Sequence, residues 1–167
     1  MKAAIVTGAS VGIGRETAGL FLADGYRVFN LSRRECPLAG VENLACDLAS
    51  TESVGQTLAT LQQELAGGGE IALVHNASQM LKDSCDACDS DSLRAVMETN
   101  VVAINSLNQG LLPLMDTGSS IVYVGSTLSE KAVSASFSYV ISKHAQLGMM
   151  RATCQDLMGK GIHTALV

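Results

Sequence analysis

At 167 residues the chain is of single-domain length and long enough to enclose a core. Its net charge of −5, with no basic run longer than Arg33-Arg34, excludes a nucleic-acid footprint, and no apolar run approaches the ~20 residues of a membrane span. Hydrophobic residues make up 47% and charged residues 16%, against roughly 25% charged in an average domain, so part of the surface is expected to meet another subunit in a homo-oligomer.

The segment Met1 to Val6 has too short an apolar core for a signal peptide, and a cytoplasmic protein is expected. Cys36, Cys46, Cys85, Cys88 and Cys154 are odd in number and scattered, which fits reduced thiols better than a disulfide framework. Cys85-Asp86-Ala87-Cys88 has a spacing that serves zinc or redox chemistry. No second pair follows it, and His75, His144 and His163 show no ligand spacing, so no metal is expected.

Ala3 to Thr7 reads as a strand that ends in the turn Thr7-Gly8-Ala9-Ser10-Val11-Gly12-Ile13-Gly14, followed by a helical pattern at Thr17, Leu20 and Phe21. Strand, glycine turn and helix form a phosphate cradle. Gly8 allows the tight turn, Gly12 lets the backbone approach a pyrophosphate, and Gly14 lets the helix pack closely; the helix N-terminus adds N–H groups and the positive end of its dipole. Asp24-Gly25 closes the helix, and Tyr26 to Leu31 is predicted as the second strand, ending in Ser32-Arg33-Arg34. An acid at this strand end would hold the 2′-hydroxyl of NAD, whereas an arginine accommodates the 2′-phosphate of NADP. Arg33 therefore points to NADP, with two solvated arginines on a surface turn as the alternative.

Val41 to Cys46 is a short third strand leading to Asp47-Leu48. Asp47 could accept from an adenine amine or cap the next turn. Ser50 or Thr51 caps a helix over Val54, Leu58, Leu61 and Leu65, which Gly67-Gly68-Gly69 ends. Ile71 to Val74 is apolar on both faces, as a buried parallel strand should be, and finishes at His75-Asn76-Ala77-Ser78. One long helix is predicted from about Asp89 to Met115, with Asn100 inside it as a poor helix former. Ile121 to Val124 is the fifth strand, a helix from about Ser134 to Met158 follows, and Ile162 to Leu166 is the sixth strand. Six strands with crossover segments, five of them helical or plausibly so and the one with Pro37 and Gly40 leaving least room for a helix, predict an α/β fold. Its architecture is a doubly wound parallel sheet of the Rossmann type in three layers, α/β/α.

Tyr139 and Lys143 lie four apart in the last helix and share a face. A neighbouring cation favours a phenolate, which would let Tyr139 give and take a proton near neutral pH; an ordinary exposed helical pair is the plainer alternative. Ser126, at the end of the fifth strand, can donate to a substrate oxygen.

The residues Thr7-Gly8-x-x-x-Gly12-x-Gly14, Asp47-Leu48, Asn76-Ala77, Asn100, Ser126 and Tyr139-x-x-x-Lys143, in that order, resemble the short-chain dehydrogenase/reductase family over the whole chain. The resemblance implies reversible hydride transfer between NADP and a small carbonyl or alcohol substrate. Tyr139 would be the general acid and base, Lys143 would promote its ionisation and bind the nicotinamide ribose, and Ser126 would polarise the substrate oxygen. Asn100 would hold a water that joins Lys143 to solvent. The cofactor would be held by Gly8, Ser10, Gly12, Ile13 and Gly14 at the pyrophosphate and adenosine ribose, Arg33 at the 2′-phosphate, Asp47 and Leu48 at the adenine, and Asn76 and Ala77 at its middle. Ser78 stands where the family usually has glycine. The family pattern continues past a sixth strand, so residues 1–167 are expected to be a domain truncated there. Gln79, Met80, Leu128 and Lys131 are plausible pocket edges. A non-catalytic NADP-binding protein, acting as redox sensor or interaction module, is the competing expectation.

Overall fold

The computed structural model describes residues 1–167. Strands that are apolar at successive positions, and not only alternate ones, belong inside a sheet covered on both faces. Lys2–Thr7 (β1) is such a strand, with Ala3, Ala4, Ile5 and Val6 wholly buried. It is followed by helix Gly12–Ala23 (α1), strands Arg27–Ser32 (β2) and Val41–Ala45 (β3), helix Thr51–Glu64 (α2) and strand Glu70–His75 (β4). Helices Ser90–Met97 (α3) and Ala103–Leu111 (α4) lead to strand Ser120–Tyr123 (β5), and helix Phe137–Asp156 (α5) leads to strand His163–Leu166 (β6).

Every strand pairing is parallel, in the order β3-β2-β1-β4-β5-β6. The order reverses direction between β1 and β4, and at such a point the loops leaving the carboxyl ends part to form a crevice. Register fixes its floor. Val6 lies opposite Asn30 and Val74, so the turns after Thr7, Leu31 and His75 emerge at one level.

The two sheet faces build separate cores. Ile5, Phe29, Leu31, Leu73 and Ile121 pack with Val54 and Leu61 of α2, with Ile104, Leu107 and Leu111 of α4, and with Leu157 just after α5. Ala4, Val6, Val28 and Val74 on the other face pack with Ala18, Phe21 and Leu22 of α1. This is the doubly wound, three-layer α/β sheet expected from the sequence.

Three local expectations change. The single helix from Asp89 to Met115 is instead α3, a π-helical turn at Glu98–Val102, α4 and a 3₁₀ turn at Leu112–Leu114. Asp89 does start the run, its carboxylate accepting from Ser92 N–H at 2.8 Å. The π-turn inserts a residue and carries Asn100 to the inside, where it has no exposed surface. The β2–β3 link holds no helix, leaving four helical crossovers. Finally, α5 begins at Phe137 and not near Ser134, because Ala135 takes a φ of 58° and Ser136 an extended φ of −149°. No helix of the chain is long and apolar enough to cross a membrane.

Candidate active site

The turn after β1 is fixed by a hydroxyl and an amide. Thr7 Oγ1 accepts from the N–H groups of Asn76 and Ala77, both at 3.0 Å. Asn76 Nδ2 donates back to the carbonyls of Thr7 at 3.0 Å and Gly8 at 3.1 Å. Gly8 has a φ of +70°, which favours glycine. Gly14 is closed to any side chain: a Cβ there would lie 2.4 Å from Gly8 O and 2.5 Å from Asn76 Nδ2. The N-cap of α1 is Val11, whose side chain accepts nothing, so the first N–H groups of that helix (Gly12, Ile13 and Gly14) have no partner. Ile13 is 66% exposed, and neither it nor Gly12 nor Gly14 lines the neighbouring cleft.

A cleft of about 590 Å³ opens beside this turn, and its walls include Gly8, Ser10, Arg33, Asp47, Leu48, Asn76, Ala77 and Ser78. Its far wall is the β2–β3 turn, which the buried amide of Asn30 holds. Asn30 Oδ1 accepts from Ala9 N–H at 2.9 Å, while Asn30 Nδ2 donates to Arg34 O at 3.0 Å and Asn43 Oδ1 at 2.8 Å. Neither Arg33 nor Arg34 forms an ion pair, with Glu35 or any other carboxylate. Asp47 Oδ1 caps the turn by accepting from Ala49 N–H at 3.0 Å, leaving Oδ2 open. Gln79 and Met80 also line the cleft; Leu128 is half-buried and Lys131 exposed.

The second part of the site lies where β5 ends and α5 begins. Ser126 Oγ accepts from Leu128 N–H at 3.1 Å, and Ser129 Oγ accepts from Ser126 N–H at 3.2 Å, a reciprocal cap on the 3₁₀ turn Thr127–Ser129. Because Ser126 Oγ is an acceptor in that bond, its own proton is free to donate outward. Helix α5 packs on this turn and presents Tyr139, half-buried, and Lys143, 2% exposed. Lys143 Nζ lies 5.5 Å from the centroid of the Tyr139 ring. It donates to Val124 O at 2.9 Å and to Gln146 Oε1 at 3.0 Å. Burial draws its ammonium down to about 8.

Asn100 sits behind this pair. Its Oδ1 accepts from Gln79 N–H at 2.7 Å and its Nδ2 donates to Gln79 O at 2.8 Å and Ser142 Oγ at 2.9 Å. The Asn100 carbonyl accepts from Gln146 Nε2 at 2.8 Å. Asn100 is thus a buried tie between the loop after β4 and α5. Toward Lys143 the Gln146 carboxamide stands beside the Asn100 carbonyl, in the direction where the resemblance implied a water.

The structure brings Ser126, Tyr139, Lys143 and Asn100 to one end of the sheet, beside the cleft that holds Gly8, Ser10, Arg33, Asp47, Leu48, Asn76 and Ala77. Sequence reasoning named Gln79 as a pocket edge but missed Thr7 as a clamp, Asn30, Ser142 and Gln146. A signal existed for two of them. Asn30 interrupts an otherwise apolar strand, and Gln146 follows Lys143 by three, on the stripe that already held Tyr139. Cys85 and Cys88 lie in a surface turn with free thiols, and no cluster of three His, Cys, Asp or Glu side chains could hold a metal ion.

Comparison with known proteins bears on the fold and the family. L-xylulose reductase of Mus musculus is 31% identical over 155 residues, covering 86% of this chain and 61% of the mouse protein. A short chain dehydrogenase of Burkholderia cenocepacia, solved in complex with NADP, is 28% identical with a TM-score of 0.87, covering 99% of this chain and 72% of that one. A short chain dehydrogenase/reductase family oxidoreductase of Brucella ovis, solved with a partially ordered NAD, is also 28% identical with a TM-score of 0.87, covering 98% of this chain and 82% of that one. The chain therefore spans less than two thirds of the mouse relative's length. The family model described as short chain dehydrogenase matches residues 2–167. With that match spanning nearly every residue, the chain belongs to the short-chain dehydrogenase/reductase family.

Proposed function

We propose that the protein is an NADP-dependent oxidoreductase that reduces a ketone or an aldehyde to an alcohol, and runs in reverse on the alcohol. The observation that carries this reading is the placement of Lys143. A buried ammonium with no carboxylate partner stands 5.5 Å from a tyrosine ring, on a helix that packs against the turn opened by Ser126.

The residues fit a dinucleotide. The unpartnered N–H groups opening α1 suit a diphosphate, and the unpaired guanidinium of Arg33 suits a 2′-phosphate. Asp47 Oδ2 and the buried Leu48 side chain suit an adenine, and Asn76 and Ala77 line the wall between the two ends. When bound, the nicotinamide supplies a hydride to the carbonyl carbon. This chain's residues handle the proton. Ser126 donates to the carbonyl oxygen and polarises it, and Tyr139 delivers the phenolic proton to that oxygen as charge develops. The Lys143 ammonium stabilises the phenolate left behind. Asn100 holds the Gln79 backbone and, through Ser142 and Gln146, the inner face of α5.

NADP is favoured over NAD by Arg33 and by the relative solved with NADP, although the Brucella ovis relative carries NAD. The mouse relative's name, L-xylulose reductase, supports a small carbonyl compound as substrate. The test is NADPH oxidation against a panel of ketones and aldehydes. Activity in the native protein with a loss of about 10²- to 10⁴-fold in Tyr139→Phe is expected. A Tyr139→Phe variant that keeps the native rate would end the proposal. Tight NADPH binding with no turnover on any carbonyl would favour a nucleotide-binding protein without catalysis.

A further inference from the structure

Lys143 has three N–H donors. Two of them end on fixed acceptors inside the protein, Val124 O and Gln146 Oε1, and only the third is left for the cleft. Val124 O is backbone at the end of β5 and cannot move without the sheet. Gln146 is a side chain, 1% exposed, and its orientation is set from the other end, because Nε2 donates to the Asn100 carbonyl. That carbonyl belongs to the π-turn, whose own side chain is tied to Gln79 and Ser142. The amide cannot flip: turned over, it would point N–H groups at the ammonium and an oxygen at a carbonyl.

We infer that Gln146 is a positioning residue for the reaction, a carboxamide strut that fixes the Lys143 ammonium and aims its remaining N–H at Tyr139 and the cofactor. The inference rests on the function proposed above. The groups facing Lys143 are the Val124 carbonyl just after β5, Gln146 and Tyr139 from α5 and, behind Gln146, the Asn100 carbonyl of the π-turn. Among them only Tyr139 carries an ionisable side chain, and no carboxylate or second cation reaches the ammonium.

Two substitutions separate this role from plain packing. Gln146→Met keeps the volume and removes the acceptor, which disfavours the charged amine. Gln146→Glu keeps an acceptor and adds a negative charge, which favours it. Supporting hydrogen bonds around a reactive group are worth roughly 10- to 100-fold, so kcat of Gln146→Met should fall by about that factor with KM for the carbonyl little changed. The alkaline limb of the kcat profile should move down in Gln146→Met and up in Gln146→Glu, each by about one pH unit. In parallel, competitive acetic anhydride labelling read by mass spectrometry follows the titration of Lys143 without any turnover. It should shift in the same opposite directions.

A native protein inactive on every carbonyl would remove the proposed reaction, and the labelling would still report whether Gln146 sets the state of Lys143. Shifts of one sign in both variants, or no shift in either, would overturn the strut. So would a Gln146→Met variant with native kcat.

Discussion

Arg33 carries the choice of cofactor on one exposed side chain. Its guanidinium has no internal partner to surrender, so removing it should cost binding and nothing else. Arg33→Ala is expected to weaken NADPH by about tenfold, the lower end for a hydrogen bond to a charged group once solvent screening is allowed for, and to leave NADH unchanged. Titration of both nucleotides by fluorescence checks this, and the NADPH loss should shrink at high salt. Equal weakening of both nucleotides would take Arg33 out of the phosphate site. Gly14 behaves differently because its Cβ position is already occupied by Gly8 O and Asn76 Nδ2. Gly14→Ala should push α1 off the turn, lower stability by about 1–3 kcal/mol and weaken both nucleotides together. Gly14, Tyr139 and Lys143 were legible in the sequence because the chemistry admits few residue types at those positions. Thr7, Asn30 and Gln146 were not, since a hydroxyl or amide becomes a support only through partners that folding brings together. Thr7 meets Asn76 from 69 positions away and Gln146 meets Asn100 from 46.

Helix α5 presents Tyr139 within its first turn, so the fraying of that end sets how well the phenol is placed. Its N-cap, Ser136, gives the helix no side-chain cap, because its Oγ donates back to Val133 O at 2.9 Å. The cap comes instead from the loop after β4: Asp83 Oδ1 accepts from Ser138 N–H at 3.1 Å and Asp83 O from Phe137 N–H at 3.3 Å. Hydrogen bonding from Ser138 holds the Asp83 carboxyl below the usual carboxylate range. Its stabilisation is therefore present above the unfolded value and is lost as pH falls through the folded one. Asp83→Ala is expected to cost about 1 kcal/mol, as lost caps do, and to lower Tm by roughly 2–4 °C; thermal unfolding at neutral pH measures it. The same cap explains part of what the sequence hid, because a helix start at Phe137 with a non-local acid leaves no local motif. The π-turn at Glu98–Val102 is equally silent. The apolar rhythm of α3 runs on into α4, and only the buried amide of Asn100 shows that one residue has been added.

The doubly wound parallel sheet was legible at the scale of the whole molecule, because six strand-like segments separated by crossovers have few parallel solutions. The buried polar chain beneath it was not. His75 Nε2 lies 2.8 Å from Asn108 Oδ1, Asn108 Nδ2 donates to Tyr123 Oη at 2.9 Å, and His75 Nδ1 has no partner. Desolvation drives His75 down to about 4, below its unfolded value of about 6.5. The unfolded chain thus takes up a proton that the native one refuses. Stability should be full above about pH 6.5 and fall as pH drops toward about 4, by about 3 kcal/mol in all. Urea unfolding across that range measures the slope, and His75→Gln should flatten it. The helices flanking the site leave Val102 44% and Ile141 36% exposed, beside Val101 and Leu147, which are half-buried. This surface supports the proposed homo-oligomer, and sedimentation at micromolar concentration should show more than a monomer.

The central claim is that the cleft and the Ser126, Tyr139, Lys143 group serve one reaction. The most direct measurement uses NADPH fully deuterated at C4 of the nicotinamide ring, with whichever carbonyl of the panel is consumed. Deuterium on the carbinol carbon of the alcohol, formed by the native protein and reduced by orders of magnitude in Tyr139→Phe, is the predicted result. An alcohol with no deuterium at that carbon, or deuterium transfer undiminished in Tyr139→Phe, would contradict it.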